Sequence, residues 1–424
     1  MIVNQQVLRY FETNNLFPRS QFGFRAKRST FSAIASMHET WIERYQRGQH
    51  TAVTFFDLSA AFDTLSKDIF CDKLRIYGFD KTSVEWFNSY LSGRRQVVMI
   101  GSAMSEECQL TVGSPQGAIL SPTIFIILVA DVGLWSKAVV YGYADDTTTT
   151  ISGTDFTELA KNCEEEAKNI ITYMSANKLA ANDDKTHLMV IRRTGKDDDL
   201  VITVGKNKIK ETPNEKLLGM WVQNDLGWST HLKKLERNLR HRLFNLRRLA
   251  EHIPRSLLKT VADGIFMSVL RYGLPIYCPL RLKEEDPKSQ CIDRIRVVFN
   301  DCLRLLTNKR RRDHAKVEDM LKELGWLSLN QLCAETRLLE AWKSAQKEDY
   351  CMKDILHVKN KSRHGLRSNE ETLFESVKED KFANGSFLQR TTQIWNMAPK
   401  NIKEATTIYQ AKSAIRNYVK MLPV

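Results

Sequence analysis

Four consecutive residues, Tyr143-Ala144-Asp145-Asp146, constrain this chain more than any other part of it. They separate a short apolar run (138–141) from a β-branched run (147–151). Apolar run, tight polar turn and β-branched run predict a hairpin. Its tip carries two adjacent carboxylates, whose repulsion an exposed turn compensates poorly unless a cation arrives. A hard divalent cation that prefers oxygen ligands, such as Mg²⁺, meets that need. Taken alone, a plain polar turn is the simpler reading, because Asp is a favoured turn residue. The rest of the chain decides between the two.

At 424 residues, two or three lobes are expected rather than one domain. A hydrophobic share of 42% is ample for buried cores. Against 50 Asp and Glu stand 63 Lys and Arg, a formal charge of +13. That balance favours a polyanionic partner, nucleic acid first, with an acidic membrane surface as the other candidate. No charged-then-apolar leader opens the chain. The most apolar stretch, 118–130, is interrupted by Ser121-Pro122, is too short to span a bilayer, and reads as a buried helix. Eight cysteines include no C-x-x-C pair and no Cys/His cluster. That pattern suggests neither a zinc site nor a disulfide framework, and implies reduced thiols in an intracellular setting.

Periodicity predicts the elements. Residues 1–50 read as helix, loop, helix around Phe22-Gly23-Phe24-Arg25. The β-branched run 51–56 reads as a buried strand ending at Asp57. Helices are expected at 67–77 and 83–91, and a hairpin-like pair of strands at 96–112. Apolar residues from Phe156 to Met174 recur at helical spacing, with Asp155 and Glu158 forming a capping box. Strands return at 187–192 and 200–204. After about Trp228 the chain turns helical. Leu232, Leu235, Leu239, Leu243, Leu246 and Leu249 line one face of 231–250; the opposite face carries Lys233, Lys234, Arg237, Arg240, Arg242, Arg247 and Arg248. Breaks are expected near Pro254, 275–279, Asp286-Pro287 and the basic run 309–312, a polar linker at 359–368, and a last helix at 407–421.

Asp57 ends a buried strand, where a rigid element aims side chains at solvent. Nucleotidyl transfer by two metal ions needs carboxylates from separate elements converging on one spot, and Asp57, Asp145 and Asp146 would supply that set. A strand-end acid capping the next turn is the alternative for Asp57. The order Asp57…Phe62-Asp63, Ser114-Pro115-Gln116-Gly117, Tyr143-Ala144-Asp145-Asp146 and Asn182…Lys185-Thr186 resembles the successive motifs of reverse transcriptases, best those of non-LTR (LINE-type, jockey/CR1-like) retrotransposons. Gln21-Phe22-Gly23-Phe24-Arg25 resembles their second fingers motif. Leu217-Leu218-Gly219, with Trp228 and His231, resembles their primer-grip region and thumb entrance. Arg271-Tyr272-Gly273 and Trp395-Asn396-Met397-Ala398-Pro399 are similar to the ends of such reading frames.

The resemblance implies an α+β right-hand polymerase with fingers, an antiparallel-sheet palm, a helical thumb and a helical C-terminal extension. Its expected parts are partial fingers at 1–50, palm at 51–67 and 113–228, a fingers/palm insertion at 68–112, thumb at 229–340 and the extension at 341–424. It implies RNA-directed DNA synthesis with two Mg²⁺ (or Mn²⁺) ions on Asp57, Asp145 and Asp146. RNA template, DNA primer and dNTPs are the implied partners, the nucleus and cytoplasm the implied location, and no membrane is involved. Phe62 matches a steric gate whose ring excludes a ribose 2′-hydroxyl. Gln116 and Gly117 match the loop that packs on the incoming nucleotide. Arg25 matches a triphosphate-holding arginine, a role suited to a guanidinium. Tyr143 leads the acidic turn at the substrate. Lys185 matches a lysine that protonates the leaving pyrophosphate. Lys233, Arg237 and Arg240 fit a helix face lying along nucleic-acid phosphates; Arg94-Arg95 and 309–312 are weaker RNA candidates. In the family a further basic fingers segment precedes the motifs seen here, so a truncated, inactive RNA-binding remnant is the alternative.

Overall fold

The computed structural model describes residues 1–59, 61–181, 185–192, 199–204, 207–286, 290–346, 350–356, 374 and 386–424. Asn182, Pro287 and the predicted linker at 359–368 lie outside that set. The chain divides into two compact units: 1–33 with 43–215, and 34–42 with 216–424. The division falls before the expected change of character near Trp228. It also assigns the middle of one N-terminal helix to the second unit.

The first unit is built on a four-stranded antiparallel sheet. Its strands are β1 (His50–Phe56), β2 (Val139–Tyr143), β3 (Asp146–Gly153) and β4 (His187–Ile191), in the order β4-β1-β3-β2. Strand β1 is central, which explains its almost unbroken burial and its uniform β-branched and aromatic sequence. Buried threonines in this sheet find partners: Thr51 Oγ1 lies 2.9 Å from Ser152 Oγ, and Thr54 Oγ1 3.6 Å from Cys163 Sγ. The helix Phe156–Ala176 packs against β1 and β3. Asp155 caps it by accepting a 2.7 Å bond from the Glu158 amide. The apolar stretch forms the helix Leu120–Leu128, with Ile124 to Leu128 fully buried. Ser121-Pro122 begins this helix rather than interrupting it, since proline's missing N–H costs nothing in a first turn.

The predicted strand pair at 96–112 is two short ladders: Arg94–Gln96 with Cys108–Leu110, and Met99–Ile100 with Ala103–Met104. The short strands Asn214–Leu217 and Met220–Gln223, which pair in a two-stranded sheet, were not anticipated from periodicity.

In the second unit the helix Ser229–Leu249 buries Leu232, Leu235, Leu239, Leu243 and Leu246. Leu249 is 37% exposed, contrary to the predicted stripe. At 3.6 residues per turn it has drifted about 100° from the line of Leu232. This helix packs against Gln290–Thr307, and Leu329–Gln346 packs against Phe387–Met397 and Ile408–Val419. The C-terminal residues belong to the same compact unit as those helices, with Trp395 and Phe387 fully buried.

A buried charge network ties that core together. The Glu39 carboxylate accepts bonds from the Phe387 amide at 2.7 Å and the Ser386 hydroxyl at 2.9 Å, at the N-terminus of Phe387–Met397. A carboxylate suits that end of a helix. Burial raises the Glu39 pKa, while these bonds and the Arg337 charge oppose the rise. Arg337, fully buried, donates to the Phe387 carbonyl at 2.8 Å and the Ser386 carbonyl at 3.3 Å. Removing one member of a buried charge network strands the other. Arg337→Met is expected to lower the unfolding free energy of this unit by about 3–5 kcal/mol in a denaturant titration; a loss under about 1 kcal/mol would contradict the network's role.

Candidate active site

The acidic turn joins β2 to β3. Tyr143 pairs with Asp146, leaving Ala144 and Asp145 as the two-residue loop. Ala144 has φ +58°, a left-handed conformation that an alanine adopts only under outside constraint. That constraint comes from the Gln21-Phe22-Gly23 segment. The Phe22 amide donates to the Gly142 carbonyl at 2.7 Å, and the Gly142 amide donates to the Ser20 carbonyl at 3.0 Å. The buried Gln21 side chain accepts a 3.0 Å bond from the Gly23 amide. A Cβ on Gly23 would lie 2.2 Å from the Ala144 nitrogen, so only glycine fits against the turn. The first functional role of this segment is thus to brace the acidic turn. The sequence carried the motif but no sign of what it touches.

The register of β1 against β3, with Phe56 opposite Thr147, carries Asp57 to the level of Asp146. Desolvation, then Asp145, then Asp57 push the Asp146 carboxyl up to about 6. Asp146 itself is exposed. Lys185 Nζ stands 3.0 Å from Asp57 Oδ2 and offsets part of the negative charge. Among the described residues, no three His, Cys, Asp or Glu side chains enclose a metal-sized gap as they lie. Chemically the donors suit a hard divalent cation: all are carboxylate oxygens, held on adjacent strand ends and mutually repelling.

Two further loops of the first unit are fastened together. The Ser114 amide donates to the Phe62 carbonyl and the Gly113 amide to the Leu65 carbonyl, each at 2.8 Å. Gln116 Nε2 donates to Asp63 Oδ1 at 2.7 Å. Phe62 is half-buried, its ring 5.2 Å from that of Phe125. Gly117 has φ +81°, which favours glycine there. Asp63 belongs to the motif Phe62-Asp63 in the sequence, but nothing there shows that its carboxylate meets Gln116.

Arg25 sits elsewhere in its network. Its guanidinium makes a two-pronged pair with Glu12, at 2.6 and 2.8 Å, and donates to the Pro18 carbonyl at 2.6 Å. In this conformation its donors serve the N-terminal helix and loop. Lys233, Arg237 and Arg240 are exposed on Ser229–Leu249 in the second unit. Arg240 pairs with Glu236 at 2.9 Å, and Lys234 lies 3.2 Å over the Trp221 ring.

Residues 2–222, just over half of the chain, match the family described as reverse transcriptase (RNA-dependent DNA polymerase). The chain belongs to the reverse transcriptase family. The relatives it matches are polymerases of transposons and mobile elements. It is 23% identical over 323 residues to a probable RNA-directed DNA polymerase from transposon X-element of Drosophila melanogaster, covering 72% of this chain and 34% of the relative. It is 22% identical over 289 residues to the RNA-directed DNA polymerase from mobile element jockey of Drosophila funebris, covering 64% and 31%. The chain spans about a third of the length of these relatives. Among solved structures it is similar to telomerase from Candida albicans bound to a fragment of telomeric RNA, at 14% identity, with a TM-score of 0.39, covering 82% of this chain and 56% of that one. Among the described residues no helix is long and apolar enough to cross a membrane.

The raised Asp146 carboxyl has a definite pH consequence. Its folded value, about 6, exceeds the ordinary value of 3.8, so the folded protein is penalised above pH 6 and not below about 4. Asp146→Asn is expected to raise the melting temperature at pH 7, with the gain gone by about pH 4. Melts across pH 4–8 in chelator check this, and an equal gain at both ends would refute it.

Proposed function

We propose that this chain is the polymerase portion of a non-LTR retrotransposon protein, copying RNA into DNA from a primer 3′-hydroxyl. What supports the reading is the strand register that brings Asp57 level with Asp146, next to Asp145 in the turn, within a chain of the reverse transcriptase family. Asp57, Asp145 and Asp146 would hold Mg²⁺ or Mn²⁺. Two such ions would supply charge neutralisation between the attacking and leaving oxygens.

The chain's own residues do the positioning. Phe62, backed by Phe125, sets a flat wall against the sugar, where a 2′-hydroxyl would collide. Gln116 and Gly117 face the nucleotide from the adjoining loop. Lys185, now on Asp57, carries an ammonium that can donate a proton to the departing pyrophosphate oxygen as its bond to the α-phosphorus breaks and the primer 3′-oxygen bonds to that phosphorus, the hydroxyl proton passing to solvent. Arg25 reaches a triphosphate only by leaving Glu12, so its contribution depends on that pair opening. Lys233, Arg237 and Arg240 hold duplex phosphates without reading sequence. Copying of the element's RNA at a nicked genomic site, in the nucleus, is the use this chemistry suits.

Extension of oligo(dT) on poly(rA) with Mg²⁺ or Mn²⁺ tests the reading. Wild type is expected to extend, and Asp145→Asn to lose about 100-fold or more. Phe62→Val is expected to admit ribonucleotides. Tight RNA binding without extension would instead identify a non-catalytic remnant. For the basic helix, Lys233→Ala with Arg237→Ala is expected to lower the salt-dependence slope of RNA–DNA binding by about 1–2, equally for unrelated sequences. An unchanged slope would remove this helix from the interface.

A further inference from the structure

We infer that Asp63 is a positioning residue that sets which end of the Gln116 amide faces the nucleotide, and so couples that side chain to the Phe62 wall. The inference rests on the proposed reading that Gln116 faces the incoming nucleotide.

An amide side chain has a donor end and an acceptor end, and its two orientations differ only in which end points where. A carboxylate accepts and never donates. Asp63 Oδ1 lies 2.7 Å from Gln116 Nε2, so only the orientation with NH₂ toward Asp63 makes a bond. Choosing that orientation commits the Gln116 oxygen to a direction of its own, away from the carboxylate. A neutral or apolar residue at 63 would impose no such choice.

The backbone around the pair makes the link a coupled device rather than a stray surface bond. Asp63 directly follows Phe62, and the Phe62 carbonyl holds the Ser114 amide at 2.8 Å. Gly113 is so close to Asp63 that a Cβ there would stand 2.7 Å from the Asp63 carbonyl oxygen. Arg94 grips the far side of the same loop, donating to the Gly113 carbonyl at 2.6 Å and the Val112 carbonyl at 2.7 Å. Ser114 and Gly113 are buried, whereas Asp63 and Gln116 are exposed. The buried bonds hold the loops together, and the exposed pair tunes one side chain on that fixed base. Losing the Asp63 carboxylate should therefore spare the fold and disturb the Gln116 orientation.

The test compares Asp63→Ala, Asp63→Asn, Gln116→Ala and the double variant Asp63→Ala/Gln116→Ala in thermal melts and in steady-state dNTP incorporation. Asp63→Asn is the informative variant, because asparagine bonds to either orientation of the glutamine and so keeps the contact while erasing its direction. The expected result is melting within about 2 °C of wild type for Asp63→Asn. Its dNTP KM should rise about three- to ten-fold with kcat within about two-fold. Asp63→Ala should raise KM at least as much, and the double variant should be no worse than Gln116→Ala alone, since both act through one side chain. If wild type extends and Asp63→Asn keeps the wild-type KM, or if the effects of Asp63→Ala and Gln116→Ala simply multiply, the positioning role is overturned while the polymerase reading stands. If wild type incorporates no nucleotide, the polymerase reading fails and this inference falls with it.

Discussion

The pairing of β1 with β3 is the constraint on which the acidic end of the first unit depends. Asp57 and Asp146 come level only because β1 and β3 pair with Phe56 opposite Thr147. A slip of one residue would turn Asp146 to the other face of the sheet. Burial of β1 along nearly its whole length makes such a slip costly, since it would misplace every packed side chain at once. The sheet is thus the device that holds these carboxylates together, with Lys185 offsetting part of the charge on Asp57.

Support for this cluster comes from segments distant in sequence. Gly23 lies against Ala144 and lets that residue keep its left-handed backbone. The loop holding Gln116 is fastened to the one holding Phe62 by backbone bonds from Ser114 and Gly113. In the second unit the work of cohesion falls to Glu39 and Arg337, whose bonds at the start of Phe387–Met397 bind an early helix to late ones. Each case joins residues far apart in the chain, and in each a small change of side-chain size or charge has no local remedy.

Much of the fold was legible because periodicity reports burial. The run 51–56 had to be a strand buried on both sides, the leucines of 231–250 a helix with one covered face, and Asp155 a cap. The errors have equally physical causes. Leu249 was misassigned because helical phase drifts over five turns. The paired strands Asn214–Leu217 and Met220–Gln223 escaped notice. Arg25 was read by its chemistry, and the structure shows that chemistry engaged with Glu12, a residue whose sequence position gives no hint of the pairing.

Sequence alone determined which chemical groups this protein commands: a paired acidic turn, a strand-end aspartate, an aromatic residue five positions beyond it, and an excess of positive charge. These follow from side-chain identity and short-range order, which need no tertiary contact to be read. Tertiary structure alone decided which groups meet. The level of Asp57 against Asp146, the ion pair of Lys185, the bracing of the turn by Gly23 and the bond from Gln116 to Asp63 all depend on strand register and loop packing. Those are set by the burial of the whole core, a collective quantity that no single stretch of sequence contains.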